Sequence, residues 1–180
     1  MRSKWSMMRY DLQYLILNQV VCKIPCWTTR KLLYRQLGMQ IGKDARIGIG
    51  TVVMSPQNIK IGARTVVNEN CVLDGRGGLS IGQDTSISMF CKILSASHDM
   101  DSPDFAYRTH RTVIGSNVWV GTSATVLDGT KVRNFAVIGA GAVVKNVVKE
   151  RSVVVGNPAM EIRKRRMDRQ YCLEYKAYFR

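Results

Sequence analysis

Long apolar runs are missing from this 180-residue chain. No stretch reaches the roughly 18 residues of a membrane span, and the longest candidate, Leu12 to Val21, is broken by Gln13, Asn18 and Gln19. The basic start (Arg2, Lys4, Arg9) is not followed by an apolar segment with a small-residue cleavage site, so the sequence predicts a cytoplasmic protein. A disulfide framework is missing too. The five cysteines, Cys22, Cys26, Cys71, Cys91 and Cys172, are odd in number and widely scattered, and Cys22 and Cys26 lack a second ligand pair for zinc. Buried, reduced thiols are expected. Histidine is scarcer still, with only His98 and His110.

Negative charge is the other shortage. Lys and Arg number 27 against 13 Asp and Glu, for a net +14. Residues 1–46 hold nine basic and two acidic side chains (+7), residues 161–180 seven and three (+4), and the middle eleven and eight (+3). Basic ends on a nearly neutral body point to an anionic partner: polymer, phosphate or membrane surface.

What is abundant is a six-residue rhythm. Aliphatics recur at Ile41, Ile47, Val53, then Ile61, Val67, Leu73, then Ile81, Ile87, Ile93. After a gap they resume at Ile114, Val120, Val126, Val132, Ile138 and Val144. Four places beyond most of them stands a mostly small or hydroxyl residue: Ala45, Thr51, Thr65, Cys71, Thr85, Cys91, Val118, Ala124, Thr130, Ala136, Ala142 and Val148. Gly often follows the aliphatic directly, where it would relieve the backbone as the chain bends. Six residues suit one brief strand and one turn. Three such units make a triangular coil, and coils stack at about 4.8 Å with like side chain over like. The expected fold is all-β, a three-sided parallel β-helix over 41–158.

Residues 1–40 stand outside the rhythm and read as a helical cap, since an open β-helix end exposes unpaired strand edges. Residues 98–112 interrupt it as a polar loop, and such insertions often carry function. Residues 159–180, with Ile162, Met167 and Leu173 among Arg and Lys, read as a basic C-terminal helix.

Five segments carry a family resemblance covering about 40–165. Val67-Asn68-Glu69-Asn70-Cys71-Val72-Leu73-Asp74, Ser95-Ala96-Ser97-His98-Asp99, Asn117-Val118-Trp119-Val120-Gly121 with Ile138-Gly139-Ala140-Gly141-Ala142, and Gly156-Asn157-Pro158-Ala159 resemble the hexapeptide-repeat O-acetyltransferases of surface polysaccharides and small sugars. The resemblance implies left-handed coils, against the usual rule for parallel crossovers, and a homotrimer with active sites between subunits. It implies acetyl-CoA as co-substrate, no metal, and His98 as the general base that takes the acceptor's proton. An imidazole suits that task near neutral pH. No activated serine or cysteine is evident, so direct transfer is expected.

On the same resemblance, Asn68 and Asp74 are the acceptor-binding pair, with turn chemistry as their alternative. Trp119, Thr122, Ala140, Gly141, Lys145 and Arg163 are the CoA-side residues. Trp119 could instead fill core, Thr122 stands where Ser is common, and Lys145-Asn146 replaces a frequent Thr-Lys. Asp99 could orient His98, although a turn role suits it better, and His110 reads as structural or solvated.

The same scaffold hosts carbonic-anhydrase-like enzymes that need three histidines on a metal, more than this chain owns. A non-catalytic binding module is a second alternative, but nucleic-acid binding would need stacking aromatics in a basic groove, and Tyr10, Tyr14, Trp5 and Trp27, though near basic residues, mostly have spacings that fit helix packing. The basic ends favour a polysaccharide precursor or its lipid-linked form as acceptor, with peripheral contact to anionic membrane at the inner face. A free oligosaccharide or an antibiotic is the alternative acceptor.

Overall fold

A computed structural model describes residues 4–166 and 170–175. Strands of two to four residues carry the repeat, and their registers put the predicted aliphatics over one another. On the first face Ile41, Ile61, Ile81, Ile114, Val132 and Val148 stack through parallel strands. On the second the stack is Ile47, Val67, Ile87, Val120, Ile138 and Val154. On the third it is Val53, Leu73, Ile93, Val126 and Val144. All are buried and belong to one core cluster. The molecule is therefore a three-sided parallel β-helix.

At the corners, buried hydroxyls tie each coil to the next: Thr65 Oγ1 donates to Gly82 O at 2.5 Å and Thr85 Oγ1 to Gly115 O at 2.8 Å. Two corner expectations need correction. Most of the bends are made by non-glycine residues in the left-handed region, such as Asp44, Arg64, Asp84 and Asn117, with Gly50, Gly129 and Gly141 at others. Gly42 is required for another reason: a Cβ there would lie 2.6 Å from Ala63 N of the neighbouring coil. Val148 is also not a corner residue. The turn after Val144 is only Lys145-Asn146, two residues short, so Val148 enters the inward stack opposite Val132.

The chain reaches the first coil through helix α1 (Lys4–Leu15), a π-helical turn (Ile16–Val20), a 3₁₀ turn (Val21–Lys23) and helix α2 (Trp27–Gln36). Their side chains cover the free strand edges, one per face. Arg35 Nη2 donates to Ile41 O at 2.5 Å, and Arg30 Nη2 to Ile47 O at 2.9 Å. The Asn18 amide imitates a strand, donating to Val53 O at 3.0 Å and accepting from Val53 N at 2.8 Å. Arg30 is fully buried. Its charge is met by the carbonyls of Ile24, Pro25 and Ile47 and by the Trp27 ring, and burial pulls its pKa down.

Among the described residues following Pro158, the expected C-terminal helix is not found. Met160–Lys164 is a strand, antiparallel to Ser152–Val155. None of its five residues is buried, so a helix here would have no apolar face to hide, while the open edge of the last coil offers backbone partners. Met167 lies outside the described residues. Residues 170–175 then run back along one prism edge: Asn117 Nδ2 donates to Tyr171 O, Leu173 N donates to Asp84 Oδ1, and Arg46 lies over the Tyr175 ring. Of the cysteines, Cys22, Cys71 and Cys91 are buried as expected, whereas Cys26 and Cys172 are exposed.

Candidate active site

A triangular prism has three edges, and this one uses them differently. The tail just described lies on the edge between the first and second faces. The edge between the second and third faces carries Asn68, Ser88, Thr122, Ala140 and Gly141. The edge between the third and first carries Asp74, the 98–112 insertion, Asp128 and Lys145.

On this last edge the insertion folds as a hairpin, Ala96–His98 against Tyr107–Thr109, with His98 directly opposite Tyr107. Facing residues of an antiparallel pair share a side of the hairpin, so His98, Tyr107 and Thr109 project together. The His98 ring stacks on Phe105 (centroids 4.4 Å, 9° between planes) and meets the edge of Tyr107 at 5.4 Å. Its Nδ1 lies 2.9 Å from Phe105 O. A carbonyl oxygen only accepts, so Nδ1 of the neutral ring carries the hydrogen and Nε2 keeps its lone pair. The side chain remains exposed. The arrangement can abstract a proton.

Asp74 is fully buried beneath this hairpin. Its Oδ1 accepts from Arg76 N (2.9 Å) and Arg76 Nε (3.0 Å), and its Oδ2 from Arg76 Nη2 (3.1 Å) and Ser95 N (3.0 Å). Burial alone would raise its pKa, but these donors and the guanidinium charge hold it below the usual carboxylate value. With both oxygens doubly engaged, no lone pair is left for a sugar hydroxyl. The expected acceptor contact of Asp74 is therefore corrected to a positioning one, because its bond to Ser95 N fixes the strand that ends in His98. The Arg76 guanidinium in turn lies 5.9 Å from the Tyr107 ring.

Beside His98, on the same side of the hairpin, a cleft of about 640 Å³ is lined by Tyr10, Ser55, Gln57, Asn58, Arg76, Tyr107 and Thr109. The opposite side of the hairpin is anchored elsewhere. Ser97 Oγ donates to Asp128 Oδ2 at 3.0 Å, and His110 Nδ1, on an exposed ring, bonds the same oxygen at 2.7 Å. Asp99 pairs with Arg108 and accepts from Asp101 N; it does not orient His98.

The second edge is barer. Trp119 is 50% exposed, which excludes core filling, and its Nε1 donates to Ser88 Oγ at 3.2 Å. Thr122, Ala140 and Gly141 are exposed, and a Cβ on Gly141 would meet nothing within 4 Å. These positions form a strip of accessible backbone beside one aromatic. Asn68 donates through Nδ2 to Ile87 O at 2.9 Å on this same edge. Asn68 therefore stands on a different edge of the subunit from Asp74 and His98. Lys145 is exposed on the third edge, and Arg163 is exposed on the added strand, its Nη1 donating to Lys164 O. The sequence singled out neither Arg76, Phe105 and Tyr107 nor Asp128. The hairpin's alternation was the signal for Tyr107.

Comparison with known proteins agrees with this geometry. The family described as bacterial transferase hexapeptide (six repeats) matches residues 111–146. WcaF of Escherichia coli K12, named as a colanic acid biosynthesis acetyltransferase, is 30% identical over 136 residues, covering 76% of this chain and 75% of WcaF. The hexapeptide-repeat acetyltransferase VCA0836 of Vibrio cholerae, solved with acetyl-CoA, superimposes with a TM-score of 0.81 at 24% identity, over 90% of each chain. A maltose O-acetyltransferase of Clostridium difficile 630 gives 0.81 at 22% identity, over 92% of this chain and 90% of that one. The last two share the fold. With WcaF related over three quarters of both sequences, this chain belongs to the hexapeptide-repeat acetyltransferases.

Proposed function

We propose that this protein transfers an acetyl group from acetyl-CoA to a hydroxyl of a sugar, in a surface polysaccharide or its precursor, with His98 as general base. The observation that carries the reading is the bond between His98 Nδ1 and Phe105 O, which leaves Nε2 free on an exposed ring beside a cleft. An alcohol is a weak nucleophile at neutral pH. Nε2 takes its proton as the oxygen attacks the thioester carbonyl, and the proton then passes to the departing thiolate. Phe105 and Tyr107 hold the ring from two sides, and Asp74 fixes the strand behind it.

The acceptor lies in the Tyr10–Arg76–Tyr107 cleft. Aromatic walls with amide and hydroxyl groups suit a sugar ring, and the names of WcaF and the maltose enzyme support that class. The acetyl donor lies along the second edge, past Trp119, Thr122, Ala140 and Gly141, with Asn68 at its acceptor end and the exposed cations Lys145 and Arg163 available to the CoA phosphates. A homotrimer reconciles these assignments, because a threefold axis sets the third edge of one subunit against the second edge of the next. The test is thiol release from acetyl-CoA with a panel of sugars and glycans. Wild type releases thiol in proportion to acceptor acetylated, and His98→Ala does not. Equal rates in the two proteins would overturn the assignment.

A further inference from the structure

Helix α1 is turned inside out. Helices that pack on a protein put their apolar stripe inward, yet no residue of Lys4–Leu15 is buried. At 100° per residue, Trp5, Met8, Leu12 and Leu15 fall on one arc, which Ile16 extends. These five are 73%, 54%, 57%, 53% and 47% exposed. The opposite side, turned to the β-helix, holds Tyr10 and Gln13, both half-buried against Val53, Ser55 and Pro56. Lys4 and Arg9 stand at the two borders of the apolar arc.

We propose that the outer face of α1 docks the enzyme onto an anionic phospholipid surface. The pattern is that of an interfacial helix, with an apolar arc to enter the acyl boundary and cations beside it to meet phosphate. Trp5 adds an indole of the kind that sits at headgroup depth. Charge decides between a bilayer and a second copy of the chain as occupant. The first 46 residues hold nine basic and two acidic side chains in a molecule of net +14, so a self-contact here brings like charges together, while an anionic leaflet is attracted. Among the described residues no helix is long and apolar enough to cross a membrane, and the docking is peripheral. It does not depend on the reaction proposed above.

Vesicle co-sedimentation tests the docking. The full-length protein is mixed with vesicles of phosphatidylcholine alone or with a share of phosphatidylglycerol, alongside Leu12→Glu/Leu15→Glu and Lys4→Glu/Arg9→Glu variants. Wild type binds the anionic vesicles at least about tenfold more strongly than the neutral ones, and added salt weakens the binding. Both variants lose at least about tenfold, with melting temperature and sedimentation coefficient unchanged because the altered side chains face outward. Absent binding by wild type, or undiminished binding by the Leu12→Glu/Leu15→Glu variant, overturns the proposal. So does a drop in oligomeric state in that variant, which would give the face to a neighbouring subunit.

Discussion

The two open edges of the prism are built on opposite plans. On the edge that carries Trp119, Thr122, Ala140 and Gly141 the repeat is unbroken, and what it offers is bare backbone and small side chains. On the edge that carries His98 the repeat is interrupted, and the inserted hairpin supplies an imidazole and two aromatic rings, set above the Asp74–Arg76 ion pair of the preceding coil. A long flexible substrate needs only a regular track, which stacked coils provide without special residues. Proton transfer needs one group held in one tautomer, and that requires chain the repeat cannot spare. Regularity serves binding, and irregularity serves chemistry.

The sharpest way to break this contrast is His98→Ala, which should lower turnover by about 10²- to 10⁴-fold while leaving the melting temperature unchanged, since the ring is exposed. Retained turnover would assign the chemistry elsewhere. Whether the edges work in partnership across subunits can be read from hybrid trimers. Ala140→Trp fills the track and His98→Ala removes the base, so each homotrimer is inactive. Random mixing pairs an intact hairpin with an intact track at about one site in four, and co-expression should restore about a quarter of wild-type activity. A mixture as inactive as its parents would place the whole site in one subunit.

Asp74→Asn should have an intermediate effect. It leaves Arg76 without its carboxylate and turns amide hydrogens toward buried donors, at a cost of about 2–3 kcal/mol in stability, measured by denaturant unfolding. The sign with pH follows from the lowered pKa of Asp74. Its stabilisation is full above the unfolded carboxylate value near 3.9 and disappears as pH falls through the lower folded value, so wild type and Asp74→Asn should converge in acid. The smallest effect is expected for Phe105→Leu. The backbone carbonyl that fixes the tautomer survives and only the stacked ring is lost, so kcat should fall about two- to tenfold.

Much of the fold was legible because a six-residue period leaves a one-dimensional record. Ile41, Ile61 and Ile81 could be stacked by counting alone. Counting failed where the period changed, since Lys145-Asn146 shortens one corner and no composition signal marks the lost pair. It failed again at Met160–Lys164, where backbone partners rather than side-chain burial decide the structure. In the candidate site, His98 was assigned by the family resemblance of Ser95 to Asp99, at the point where the rhythm stops. Asp74 could be picked out, but its task could not, because its partner Arg76 looks like any surface arginine until the corner folds. Phe105 acts through its carbonyl oxygen, which no side-chain pattern records.

The caps on the first coil carry a further consequence. A stack of similar coils has no intrinsic length, because each new layer finds the same hydrogen bonds as the last. Left open, such an end would accept a second molecule as readily as its own chain, and the outcome would be a growing filament. Asn18, Arg30 and Arg35 answer the strand termini with groups that cannot be extended. These three polar side chains work as a stop codon written in structure, ending polymerisation at a count of one.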